Sequence, residues 1–150
     1  MPQSLSQLYV HLAFSTKQRE PLLLAPLRAQ MHAYFATALK NQDSPAVEVG
    51  GRSDHVHTLF RLSKNRSLAA IVEEIKTSSS KWIKTKGRAL ASFHWQSGYA
   101  GFSVSPAEVE KVAEYIATQE AHHRVVSFQD EFRKLLESHR IEYDERYVWD

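Results

Sequence analysis

Cysteine is absent from all 150 residues of this chain. That excludes disulfide frameworks and every cysteine-ligated zinc site, and it agrees with a reducing compartment. No apolar run approaches the ~20 residues that a membrane-spanning helix needs. The N-terminus has no basic region followed by an apolar stretch, so no signal peptide is expected and the cytoplasm is the expected location. Internal repeats, low-complexity tracts, long linkers, a phosphate-cradling P-loop and the H-E-x-x-H of zincins are also missing. What is present is 43% hydrophobic and 24% charged, as in an ordinary soluble protein. The length suits a single domain, 1–150, with a real hydrophobic core.

The net charge of +2 hides an uneven distribution. Residues 61–88 carry eight basic side chains against Glu73 and Glu74, whereas residues 106–150 carry eleven acidic and six basic ones. The basic middle is either an anion-binding face or a solvated helix flank followed by a lysine-rich loop.

Period-two alternation of Leu8, Val10, Leu12 and Phe14 predicts a first strand, closed by a polar turn at Thr16 to Arg19. Leu27, Met31, Tyr34, Phe35, Ala38 and Leu39 recur at helical spacing after Pro26. Ala46–Val49 and His55–Leu62 read as a hairpin, with the turn placed over Gly50-Gly51 and Ser53-Asp54. Ser67 is a cap for a helix running to about Lys84. Phe93–Gln96 reads as a strand resuming near Phe102. Ser105-Pro106-Ala107-Glu108 signals the start of a helix that runs to about His123. A last helix spans about Ser127 to His139. The order β-α-β-β-α-β followed by helices predicts an α+β fold: a ferredoxin-like split βαβ antiparallel sheet with helices packed on it.

Alternate side chains of a strand share a face, so His55 and His57 point together, away from Val56 and Phe60. Two such imidazoles are either half of a metal site or hydrogen-bonded core residues. A cupin would need a glutamate soon after the second histidine, but the next acid is Glu73. An amidohydrolase barrel would need a far longer chain. On the helix after Ser105, at roughly 100° per residue, Tyr115, Gln119 and His122 share one flank of the apolar stripe. A phenol with a pKa of about 10 is a poor nucleophile unless activated. A divalent cation helps by neutralising a phosphate and orienting it for in-line attack. Two imidazoles and an amide oxygen leave positions open for phosphate oxygens and suit Mn²⁺ or a later metal, while Mg²⁺ prefers more oxygen. Lys76, Ser79 and Lys81 near a helix end, and Lys17 and Arg19 in the first turn, are candidate phosphate contacts.

Three runs taken together are far more specific than H-x-H: Ser53-Asp54-His55-Val56-His57; Phe93 to Tyr99 with Phe102-Ser103-Val104-Ser105; and Tyr115-Ile116-Ala117-Thr118-Gln119. In order and spacing they resemble the HUH single-tyrosine transposases of the smallest bacterial insertion sequences, across nearly the whole chain. The tail from Glu120-Ala121-His122-His123 through Tyr147 resembles a subgroup of that family. The resemblance implies His55, His57 and Gln119 as ligands of Mg²⁺ or Mn²⁺ and Tyr115 as nucleophile; His122, close to Gln119 along the helix, is an alternative ligand. It implies single-stranded DNA with hairpins as substrate, a 5′-phosphotyrosine intermediate, and a homodimer whose active sites are shared between subunits. A domesticated hairpin-binding protein without cleavage activity is the rival reading. A metal-dependent phosphodiesterase using water is a third.

Overall fold

The computed structural model describes residues 2–122 and 126–150, without the side chains of 121 and 122. Strand β1 (Leu8–Ser15) is followed by α1 (Leu27–Asn41), β2 (Ala46–Arg52), β3 (His55–Leu62), α2 (Leu68–Ile83) and β4 (Ala100–Val104). Then come α3 (Val109–Ala117), the short α4 (Gln119–His122) and α5 (Phe128–Ser138). The strands pair antiparallel in the order β2-β3-β1-β4, the split βαβ arrangement expected of a ferredoxin-like α+β fold.

The two faces of the sheet divide the labour. Val10, Leu12, Phe14, Val56 and Phe60 face α1 and α2, where they pack with Met31, Phe35, Leu39, Ile71 and Ile75. Each such side chain, fully buried, contributes about 1.5–3 kcal/mol. The opposite face carries His11, Ala13, His55, His57 and, from β4, Phe102; it is covered by α3 and by α5 through Phe128, Phe132 and Leu136.

Local chemistry explains most boundaries. The Ser67 Oγ accepts from the Ala70 N–H at 3.1 Å, so the cap expected there forms, and the Ser127 Oγ caps the last helix by accepting from the Asp130 N–H at 3.1 Å. Ser105 does not cap with its side chain; Pro106–Glu108 makes a 3-10 turn before α3 begins. That helix stops at Ala117, because Thr118 leaves helical geometry before α4. Trp95 makes a single bridge to Thr16 rather than the strand expected over Phe93–Gln96, since its indole is committed to α2.

The hairpin is tighter than expected. Strand β2 continues through Gly50 and Gly51 to Arg52, and the turn is Ser53-Asp54 alone. Gly50 belongs in the strand because α3 lies directly on it: a Cβ there would stand 2.2 Å from the Ile116 carbonyl oxygen and 2.9 Å from its Cγ2. Gly50 pairs with His57, so this close approach sets α3 over the histidines. Gly50→Ala should therefore force α3 off the sheet and lower stability by about 1–3 kcal/mol in urea unfolding; an unchanged midpoint would refute the close-packing account.

Candidate metal and nucleophile site

His55 and His57 are both fully buried on β3, projecting from the face under α3 and α5. The cross-strand neighbours of His57 are small, Ala13 and Gly50, leaving room for side chains arriving from above. Each imidazole is held from behind. His55 Nδ1 lies 2.6 Å from Asp54 Oδ1, and His57 Nδ1 lies 2.7 Å from His11 Nε2. Burial and the neighbouring His57 push the His11 pKa down to about 3, so His11 is neutral and its Nε2 can accept from the His57 Nδ1–H. Protonated at Nδ1, both rings would offer their Nε2 lone pairs to a cation in the space between the sheet and the helices; protonated at Nε2, His57 donates to Glu131.

Three helical side chains meet them there. The Gln119 Oε1 is 2.9 Å from His55 Nε2. The Glu131 Oε1 is 2.9 Å from His57 Nε2 and 3.9 Å from His55 Nε2. The Gln119 Nε2–H donates to Glu131 Oε2 at 2.9 Å, and the Tyr115 hydroxyl donates to the same oxygen. Phe128 closes the far side by stacking on His55, with ring centroids 4.5 Å apart. Tyr115 is half-buried, and desolvation together with the Glu131 charge pushes its pKa above the usual phenol value, so the hydroxyl keeps its proton in this arrangement.

Could these residues hold a divalent cation? The nearest donor atoms of His55, His57 and Glu131 lie within 4.8 Å of one another, and the Gln119 amide oxygen adjoins them. Two imidazole nitrogens, one carboxylate oxygen and one amide oxygen make a mixed set suited to Mn²⁺ or a later metal, with Mg²⁺ served less well. The donor set fits.

Sequence reasoning placed His55, His57, Tyr115 and Gln119 in one site, and the structure brings all four together within one chain. Gln119 is more buried than expected, because the break at Thr118 turns α4 inward. The side chain of His122, the alternative ligand, and the whole of His123 lie outside the described residues. Glu131 was missed. Its signal was a carboxylate in the apolar stripe of α5, between Phe128 and Phe132–Leu135. His11 was equally readable as the polar member of β1 that shares a face with Ala13.

The expected phosphate contacts fare unevenly. Lys76 is not presented to solvent: its Nζ donates to the carbonyls of Gln96, Ser97 and Gly98 at 2.8, 3.2 and 2.6 Å. Desolvation lowers its pKa to about 8, which still leaves it charged at neutral pH. Ser79 is fully buried and accepts from Trp95 Nε1–H at 2.9 Å. Both use their polar atoms to brace the loop beside the site. Lys17 and Lys81 are exposed. The Arg19 guanidinium lies 5.6 Å from the Trp149 ring centroid, with Nη1 buried and without a hydrogen-bond partner among the described residues. Beyond Lys81, exposed Lys86 and Arg88 and half-buried Lys84 extend the basic rim.

Residues 4–119 match the sequence family described as "Transposase IS200 like", and the chain belongs to that family. No curated protein sequence matches it. Among solved structures, it is similar to a protein from Deinococcus radiodurans described as a "putative transposase". The TM-score is 0.62 at 19% identity, covering 79% of this chain and 98% of that one. It is also similar to a REP-associated tyrosine transposase solved bound to a REP hairpin, with TM-score 0.60 and 12% identity over 84% of this chain and 76% of that one. At these identities the two structures speak for the fold. No helix among the described residues is long and apolar enough to cross a membrane.

Stability should respond to acid through buried His11 and half-buried His32. His11 is held neutral to about pH 3 and His32, desolvated beside Arg28, to about pH 4, against 6.5 when unfolded. Below 6.5 the unfolded chain therefore binds more protons than the folded one, so stability falls with pH from about 6.5 down to these folded values. Urea unfolding at about pH 7 and about pH 5 should show the loss, and His32→Gln should make it shallower; parallel pH profiles would exclude His32 as a source.

Proposed function

We propose that this transposase-family protein cleaves and rejoins single-stranded DNA at insertion-sequence ends, with Tyr115 as nucleophile and a divalent cation, Mg²⁺ or Mn²⁺, held by His55, His57, Gln119 and Glu131. The supporting observation is the convergence of the Tyr115 hydroxyl, the Gln119 amide and both histidine Nε2 atoms on one carboxylate. When bound, the cation neutralises and orients the scissile phosphate. The Tyr115 oxygen forms a bond to phosphorus, the bond to the 3′-oxygen breaks, and a 5′-phosphotyrosine and a free 3′-hydroxyl result. Glu131, already at the phenol, is placed to accept its proton. Attack by a 3′-hydroxyl on the phosphotyrosine then rejoins strands and returns Tyr115. The exposed Lys17, Lys81, Lys86 and Arg88, with Lys84 and Arg19, supply a basic rim for the phosphates of the flanking hairpin.

Because one chain assembles the complete set, we read Tyr115 as acting on phosphate at its own histidines. A homodimer that exchanges tyrosine helices is the alternative, and a domesticated hairpin binder that does not cut is the rival function.

Labelled single strands tiled from the flanks of the gene, incubated with Mg²⁺ or Mn²⁺ and run on a denaturing gel, should give a protein–DNA adduct. EDTA, duplex substrate and Tyr115→Phe should each abolish it, and His57→Ala should reduce it by at least about 10–100-fold. Cleavage without adduct would indicate a hydrolytic nuclease, and binding without cleavage the domesticated binder. A mixture of Tyr115→Phe and His57→Ala chains should stay inactive; recovered activity would establish exchange between subunits.

A further inference from the structure

A cavity of about 820 Å³ lies between α3, α5 and the edge strand β4, and Tyr115, Glu131 and His11 are part of its wall. Its geometry follows from two matching helical stripes. On α3, Lys111 and Val112 lie one turn before Tyr115; on α5, Lys134 and Leu135 lie one turn after Glu131. Positions three and four apart share a helix face, so each helix lines the cavity with one lysine, one apolar side chain and one member of the site. Ser103 on β4 and Ser138 on α5 add hydroxyls.

We propose that this valley receives the single-stranded nucleotides joined to the scissile phosphate. The inference rests on the transposase reading above and assigns the binding of the strand to a specific part of the molecule. The argument is one of charge and shape. Lys111 and Lys134 are exposed on opposite walls, and neither makes an ion pair or a hydrogen bond among the described residues. The preceding residue, Arg133, is committed to Asp130 and Glu145. Two free ammonium groups flanking an apolar floor match a strand whose phosphates run along the rims and whose bases lie on Val112 and Leu135, with the serines at base edges. The volume falls within the range of about 300–1,000 Å³ typical of ligand sites. Tyr115 lines the valley, so an occupant lies beside the proposed nucleophile. Glu108, in the 3-10 turn before α3, also lines the cavity one turn before Lys111, so the basic section of the wall is the part between Lys111 and Lys134.

The test uses the full chain and a short labelled oligothymidylate, with binding read by fluorescence anisotropy in EDTA over a salt series, so that neither metal nor cleavage enters. Lys111→Ala/Lys134→Ala should weaken binding about tenfold and flatten the dependence of log affinity on log salt by about 1.4, two phosphates at about 0.7 each. Leu135→Trp, which fills the valley, should weaken binding similarly, while the size-conserving Leu135→Met should not; circular dichroism checks that each variant is folded. Unchanged affinity and slope in the double variant would overturn the inference, as would a wild-type dimer that Leu135→Trp converts to monomer, since the valley would then be an interface between copies. A wild-type protein that forms the Tyr115 adduct beside an unaffected double variant would sink this subsite alone. A wild-type protein that binds no single strand would sink it together with the proposed function.

Discussion

A carboxylate that is 2% exposed is tolerated only where its charge is matched on every side, and Glu131 meets that condition in one place. Its two oxygens are shared among the His57 imidazole, the Gln119 amide and the Tyr115 hydroxyl, with His55 at the edge of reach. Those partners come from β3, α3 and α4, so a single side chain on α5 ties together the central strand and three helices. Removing any partner would leave the charge under-satisfied in a low-dielectric interior, where such a loss costs far more than an exposed ion pair returns. The same constraint gives the site its chemistry, because the oxygens that satisfy the fold are those that complete a ligand set.

Around this centre the structure repeatedly supports a reactive side chain with a second one behind it. Asp54 fixes one histidine and neutral His11 the other, and the loop Gln96–Gly98 is clamped by the Lys76 ammonium. That clamp explains why the basic character of the middle segment is not uniform in role. Lys76 and Ser79 spend their polar atoms inside the protein. The lysines and arginine that follow, on the last turn of α2 and beyond it, remain at the surface with their charge available to an anion.

The aromatic tail follows the same logic. Trp149 lies against Phe132 and under the guanidiniums of Arg19 and Arg133, at 5.6 and 5.0 Å from its ring centroid. Packing of α5 thus extends into the tail and back to the turn after β1. The elements that carry Glu131 are held at both faces, by the sheet below and by the tail beside them.

Much of this was legible in the sequence. Strand alternation separated His55 and His57 from Val56 and Phe60, and helical spacing set Tyr115 and Gln119 on one flank, because both patterns depend only on backbone periodicity. The element order gave the split βαβ sheet for the same reason, and the combined motifs gave the family. Tertiary structure alone decided which polar groups meet. Gly50 reads as a turn residue until α3 is seen to rest on it. Lys76 and Ser79 read as surface groups until the loop they brace is in place. Glu131 is one acid among eleven in residues 106–150 until α5 folds over the histidines. Periodicity reports the face on which a residue lies, whereas its partner across 74 positions of chain, the separation of His57 and Glu131, is fixed only by how the layers pack.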